Sequence, residues 1–238
     1  MLKIKEIFKS NYRRHFGTLD EILWAQIFHN TIIGSKWLID KSFSPGRWAV
    51  GYEFLYVLYR VLDLFQPKSI LELGLGQTTN MISQYVSANE NISHLVVEHD
   101  PQWIKFFYKN RQNTSEKTKI INLDLETVFF GRDKTSVTAY KGFSEVMRGE
   151  KFDLVCIDGP FGSDGYSRVD ILEIIPDCFE KSFVIMLDDY DREGEQNTVK
   201  EMKTYFRDSD MAICDAVYCG QKKSCLITTE DNRFLCSL

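Results

Sequence analysis

The chain has 238 residues, 44% of them apolar and 26% charged, with a formal net charge of −5. That length suits one α/β domain with a sizeable core and is cramped for two, and the composition excludes a disordered or fibrous chain. The acidic balance, with no Lys/Arg stretch interleaved with aromatics, argues against nucleic acid as a partner.

The first segment, MLKIKEIFKSNYRRHF, is basic but lacks an apolar core of signal-peptide length. No run elsewhere reaches the ~20 apolar residues of a spanning helix, so no transmembrane segment and a cytoplasmic location are expected. Met1, Leu2, Ile4, Ile7 and Phe8 alternate with Lys3, Lys5 and Lys9, which suits a solvated helix packed on the domain better than one lying on a membrane surface. Thr18 and Glu21 form a Thr-x-x-Glu capping box ahead of Ile22, Leu23, Ile27 and Phe28, predicting a helix from there to the Trp37 region. Ser42 to Gly46, containing Pro45, breaks it. Phe54, Leu55, Leu58, Val61, Leu62 and Phe65 then make one face of a second helix, which Pro67 stops. Residues 1–67 are therefore expected as an N-terminal helical layer packed on a core formed by residues 68–238, in one compact unit.

From Ser69 the texture changes to short β-rich runs, SILEL, HLVVE, KIINL, FDLVCI and SFVIML, separated by stretches expected to be helical. Such alternation predicts an α/β, Rossmann-like, doubly wound sheet that is mostly parallel, with helices on both faces. Asp100-Pro101 is a cap and first-turn pair for one helix, and Val199, Met202 and Phe206 are the apolar stripe of another. The tail differs. MAICDAVY and SCLITT are joined by Cys219 to Lys223, a turn too short for a helix, which predicts a C-terminal antiparallel hairpin at the sheet edge. The six cysteines include no Cys-x-x-Cys pair and no His at finger spacing, as expected of thiols in a reducing compartment and not of structural zinc.

Three motifs carry chemistry. The turn Glu72-Leu73-Gly74-Leu75-Gly76-Gln77-Thr78-Thr79 follows a strand and opens a helix, so its glycines let backbone approach a ligand and its N–H groups face it. The acidic residue before the first glycine, and Thr79 in place of a third glycine, separate it from a dinucleotide fingerprint. Glu98 ends the next strand, where a carboxylate accepts hydrogen bonds from both ribose hydroxyls of an adenosine-type ligand. Asp158 after the strand FDLVCI, with Asp188 and Asp189 after SFVIML, should converge at the carboxyl edge of the sheet. Three clustered carboxylates repel unless a proton or cation intervenes, and oxygen-only ligands suit Mg²⁺, Ca²⁺ or Mn²⁺.

Together ELGLGQTT, VVEHDP and FDLVCID resemble the class I S-adenosylmethionine-dependent methyltransferases, from about Pro67 to the end. The resemblance implies S-adenosylmethionine as cofactor, with Glu72, Gly74, Gly76 and Thr79 around its methionine part, Glu98 on the ribose, His99 beside the adenine and Asp124 near the adenine amino group. The acidic trio resembles that of cation-dependent O-methyltransferases of the catechol and caffeoyl-CoA type, implying Mg²⁺ or Mn²⁺ on Asp158, Asp188 and Asp189. The Lys those families place shortly after the first metal Asp is Phe161 here. The general base is left open by that departure, with Asp158 or Asp189 the candidate if no cation is bound.

DGPFGSDGYSRVDILEIIP and LDDYDREGEQNTV are similar to the methyltransferase-like proteins of polysaccharide and capsule clusters. This implies an O-methyltransferase acting on a hydroxyl of a sugar, nucleotide-sugar or glycan. Phe161 to Tyr166 is expected as a mobile loop over the acceptor, Arg168 and Arg192 as partners of an acceptor carboxylate or phosphate, and the Ser44 to Trp48 turn as a cover. A homodimer is the expected assembly. Three alternatives remain: an aminopropyl transferase with Asp153 and Asp158 as paired acids, an N-methyltransferase on the same fold, and a non-catalytic scaffold in glycan assembly.

Overall fold

The computed structural model describes residues 2–110 and 114–238, with side chains from Gly17 onward. The first helix, α1 (Leu2–Ile32), runs straight through Thr18, so the Thr-x-x-Glu pattern lies inside a helix and not at its start. The single Gly17 before it costs a helix only ~1 kcal/mol, too little to break one. The helix ends at Ile32, just ahead of Gly34, and does not reach Trp37. The alternation at Met1 to Lys9 lies outside the residues whose side chains are described. Helix α2 (Tyr52–Leu64) follows as the apolar spacing requires.

Then come β1 (Ser69–Leu73), α3 (Gln77–Ala88), β2 (Ser93–Glu98), α4 (Pro101–Asn110), β3 (Thr118–Asn122), β4 (Leu125–Phe130), β5 (Thr135–Tyr140), α5 (Phe143–Met147), β6 (Phe152–Ile157), β7 (Phe179–Leu187), α6 (Glu193–Asp208), β8 (Ile213–Cys219) and β9 (Lys223–Thr229). The main sheet has seven strands in the order β3-β2-β1-β6-β7-β9-β8. The first five in that order are parallel; β9 pairs antiparallel with both β7 and β8. The C-terminal hairpin thus closes the edge as expected, with its second strand inserted next to β7.

Side-chain alternation sorts the core into two layers. Leu71, Leu73, Val155, Ile157, Ile185 and Leu187 face the layer of α5, α6 and β5, where Val199, Met202 and Phe206 are buried. Ile70, Leu154, Cys156, Val184, Met186 and Leu226 face Phe28, Phe54, Leu58, Met81 and Ile82 of α1 to α3. The N-terminal helices therefore share one core with the sheet.

Two crossovers depart from the expected strand-helix alternation. Between β3 and β6 the chain forms the separate hairpin β4–β5 and only the short α5. LETVFF and TSVTAY are rich in β-branched and aromatic residues, so β propensity prevails there. Between β6 and β7 the Gly- and Pro-rich stretch after Asp158 makes a loop and a single 3-10 turn, Val169–Glu173.

Candidate active site at the carboxyl edge of the sheet

The strand order reverses between β1 and β6, and a cleft of ≈ 690 Å³ opens beyond their carboxyl ends, where doubly wound sheets bind ligands. Its first wall is the turn after β1. Gly74 has φ 100, and a Cβ there would come within 3.1 Å of the backbone of Asp158 and Gly159, so the loops after β1 and β6 touch through main chain. Gly76 is different: a Cβ on it would meet nothing within 4 Å, because it borders the open cleft. The Gly76 N–H donates to Thr79 Oγ1 at 2.9 Å and fixes the entry to α3.

Glu98 ends β2 beside this turn. One carboxylate oxygen accepts the Leu75 N–H at 3.0 Å, and the other accepts the His99 and Asp100 N–H groups, both at 2.8 Å. His99 Nδ1 also lies 2.9 Å from the oxygen that takes the two N–H groups, so that oxygen is filled, while the one that accepts from Leu75 keeps one lone pair for a ligand. Trp103 donates from Nε1 to Leu75 O at 2.7 Å and extends this wall. Phe161, 56% exposed, meets His99 edge-on with ring centres 4.8 Å apart. Trp48 is 88% exposed at the mouth, so it is not ordinary packing, and Ser44 at the start of its turn donates to Gln77 Oε1 at 3.2 Å. Beyond Phe161 the loop is tied down. Ser163 Oγ accepts the Thr138 N–H at 3.0 Å, and Asn197 donates to Gly165 O at 2.7 Å.

The acidic trio does converge: one oxygen each from Asp158, Asp188 and Asp189 lies within 4.8 Å of the others. The protein's own cations are already among them. Lys222 Nζ bridges Asp188 Oδ2 at 3.1 Å and Asp189 Oδ1 at 3.2 Å. Arg168 Nη2 bridges Asp189 Oδ2 at 2.8 Å and Asp158 Oδ1 at 3.4 Å, while Nη1 donates to the Asp188 and Ile157 carbonyls. Arg192 Nη1 adds a third cation, 3.0 Å from Asp189 Oδ2. Burial pushes the Asp158 carboxyl well above its ordinary pKa, reinforced by Asp188. Burial also acts to raise Asp189, but Arg168, Lys222 and Arg192 together hold it below the usual value.

A divalent ion does not fit these side chains as placed. Mg²⁺ or Ca²⁺ takes six or more oxygens at ~2.0–2.6 Å, waters among them, but here both oxygens of Asp189 and one each of Asp158 and Asp188 already face cations, which leaves one buried Asp188 oxygen without a partner. An ion roughly 4 Å from the Lys222 ammonium would meet a repulsion of about 8 kcal/mol at an effective dielectric of 20. Arg168 and Arg192 would add to it.

The fold is that of the class I methyltransferases. No protein-family model and no curated protein matches the sequence. Among solved structures, the O-methyltransferase of Bacillus cereus in complex with SAH matches with TM-score 0.54 and 12% identity over 89% of this chain and 90% of that one. The SAH-bound methyltransferase PaMTH1 of Podospora anserina matches with TM-score 0.52 and 14% identity over 97% of each chain. The tomaymycin-synthesis O-methyltransferase TomG of Streptomyces achromogenes, in complex with SAM, matches with TM-score 0.51 and 14% identity over 92% and 96%.

On this methyltransferase fold, Gly74, Gly76, Glu98, His99, Asp158, Arg168 and Asp189 all line the cleft. Glu72, Thr79, Asp124 and Asp188 do not. Glu72 is buried inside the sheet, 3.1 Å from His94 Nε2, because its position in β1 points it to the layer opposite Leu71 and Leu73. Thr79 is enclosed behind the turn, Asp188 lies fully buried, and Asp124 is exposed elsewhere, its carbonyl accepting the Lys141 N–H. Arg168, expected at the acceptor, is 2% exposed and consumed by the carboxylates, whereas the Arg192 side chain is 51% exposed. Trp103, Tyr140 and Lys222 were not anticipated. Trp103 follows the Asp100-Pro101 cap and was within reach of the pattern; Tyr140 comes from a hairpin that was not expected, and Lys222 from the expected C-terminal hairpin, whose insertion of β9 next to β7 no local signal gives.

Proposed function

We propose that the protein is an S-adenosylmethionine-dependent O-methyltransferase acting on a hydroxyl of a sugar, nucleotide-sugar or glycan. The observation that carries this reading is the cleft with two unlike walls, Gly74 to Thr78 with Glu98 on one side and Asp158 with Arg192 on the other. Its volume lies in the range of pockets that bury most of a small ligand. The first wall fits the cofactor: Gly76 leaves open space, Glu98 keeps one lone pair on the oxygen that accepts from Leu75 for a ribose hydroxyl, and His99 with Phe161 offers an aromatic edge.

Bound S-adenosylmethionine supplies an electrophilic methyl on a sulfonium. The chain's own part is alignment and proton transfer. Gly74, Gly76 and Glu98 would hold that donor, and Asp158 would take up the proton that an acceptor hydroxyl gives up when methylated. Burial raises the proton affinity of Asp158, which strengthens it as a base when it is ionised. Arg192, with one guanidinium edge on Asp189 and half its surface free, suits an acceptor phosphate or carboxylate, and Trp48 a sugar face. Most of the rate comes from positioning and water exclusion. The exposed Leu19, Ile22 and Leu23 of α1 suit a homodimer interface, and a nucleotide-sugar acceptor is in keeping with a cytoplasmic location.

The aminopropyl-transferase alternative loses its paired acids. Asp153 sits at the opposite end of β6, where its carboxylate accepts the Lys68 and Ser69 N–H groups at 2.7 and 2.9 Å. The test is calorimetry with S-adenosylmethionine and S-adenosylhomocysteine, followed by transfer of labelled methyl to a panel of nucleotide-sugars. Micromolar binding that Glu98→Ala weakens, with label in an ether, is expected. Binding without turnover on any acceptor would favour a scaffold, and no binding would refute the reading.

A further inference from the structure

Lys222 joins three segments that are far apart in the sequence. Its ammonium carries three N–H groups and has three acceptors: Asp188 Oδ2 at 3.1 Å, Asp189 Oδ1 at 3.2 Å and Ala49 O at 3.2 Å. Ala49 belongs to the turn that presents Arg47 and Trp48 to the cleft, and Lys222 itself lies in the β8–β9 turn. Arg168 completes the set from beneath, between Asp158 and Asp189. Both cations are well shielded, Lys222 with 18% and Arg168 with 3% of its side chain exposed.

We propose that Lys222 and Arg168 stand where the sequence pattern places a divalent cation, so that the protein binds no divalent metal at Asp158, Asp188 and Asp189. A divalent cation in such a trio would do two things: cancel carboxylate repulsion and hold the acceptor side in one geometry. The ammonium and guanidinium do both here with fixed covalent tethers. Each oxygen of Asp189 faces a positive group, and the Lys222 bond to Ala49 O locks the Trp48 turn to the floor of the cleft. Only the acceptor's identity rests on the transferase reading; the ion network does not.

Mn²⁺ alone, titrated into the full-length protein and followed by the paramagnetic resonance signal of the free ion, tests this directly. The wild type should leave that signal undiminished, with no site tighter than about 10⁻⁴ M. Lys222→Ala should open the trio and bind Mn²⁺ at least roughly tenfold tighter than wild type, and adding Asp189→Asn should abolish the gain. Lys222→Arg, which restores a cation, should again exclude Mn²⁺. Wild-type binding tighter than about 10⁻⁴ M that Asp189→Asn removes would overturn the proposal, as would equal Mn²⁺ binding by Lys222→Ala and Lys222→Arg. The wild-type titration decides the metal question even if a variant folds poorly. Calorimetry with S-adenosylhomocysteine on the same samples reports on the cofactor wall alone, so a failure there counts against the transferase and not against the ion network.

Discussion

Glu53 offers a quantitative test of how the N-terminal helices meet the site. It lies in the first turn of α2 with no exposed surface, and neither carboxylate oxygen makes a hydrogen bond of good geometry. Gly51 and Gly220 close over it, and a Cβ on either would come within 3 Å of its Oε2. Burial, then the charges of Asp188 and Glu21, push its pKa from 4.5 to about 8. Below pH ~4.5 folded and unfolded chains both hold the proton and the group takes nothing from stability. Above that the unfolded chain ionises while the native one keeps its proton, so stability falls by about 1.4 kcal/mol per pH unit until the native carboxyl ionises near pH 8. The loss accumulates to the order of 4–5 kcal/mol, a large share of the 5–15 kcal/mol typical of a whole domain. Glu53→Gln removes the charge at every pH. Denaturant unfolding of both proteins at pH 5, 7 and 9 should show the variant's advantage growing with pH and levelling off above pH 8. A constant offset between the two at all three values would refute the argument.

Gly76→Ala should unfold like wild type, because its Cβ meets no protein atom, yet bind S-adenosylhomocysteine at least about tenfold more weakly in calorimetry, because it enters the ligand's space. Gly74→Ala should do the reverse and destabilise the fold. A side chain at φ 100, with Cβ 3.1 Å from the Asp158 and Gly159 backbone, costs on the order of 1–3 kcal/mol, read as a fall in Tm of several degrees. Arg168→Met leaves Asp158 and Asp189 facing each other without their shared cation, and should lower unfolding free energy by about 3–5 kcal/mol. A loss below about 1 kcal/mol would show that Lys222 and Arg192 suffice without it.

The cofactor wall was legible because its signals are local. A strand, a turn with glycines and a helix follow one another from Ser69 to Ala88, and the next strand ends on Glu98, so the parallel pairing of β1 with β2 brings turn and carboxylate together with little freedom. What failed was local pattern set against wider context. The Thr18 box means a helix start only if the preceding residues leave the helix, and they do not. The LETVFF and TSVTAY runs were absorbed into an expected helical crossover although their β-branched residues favour the β4–β5 hairpin. That hairpin delivers Tyr140 to the cleft, buried with its N–H donating to Asp170 Oδ1 at 2.6 Å.

The acceptor side shows why a motif can be right in its residues and incomplete in its chemistry. Asp158, Asp188 and Asp189 are visible in the sequence because they stand one or two residues beyond the ends of central strands, and parallel pairing of β6 with β7 puts those ends side by side. Three carboxylates in one place demand positive charge, and a motif can say only that much. The supplier depends on tertiary structure. Lys222 reaches them because β9 inserts beside β7, with Leu187 opposite Cys225, which carries the turn before β9 back over the end of β7. Arg168 reaches them because the loop after β6 turns inward at a residue with φ 57 and not outward as a lid. Arg192 arrives with the first residue before α6, leaving one edge toward solvent. The same carboxylates with a neutral side chain at position 222 would free one oxygen each of Asp188 and Asp189, with Arg168 and Arg192 still on the other side of Asp189. A lysine there satisfies the charge within the fold, and Asp158, with 22% of its side chain exposed where Asp188 and Asp189 are enclosed, is the carboxylate of the trio most open to the cleft.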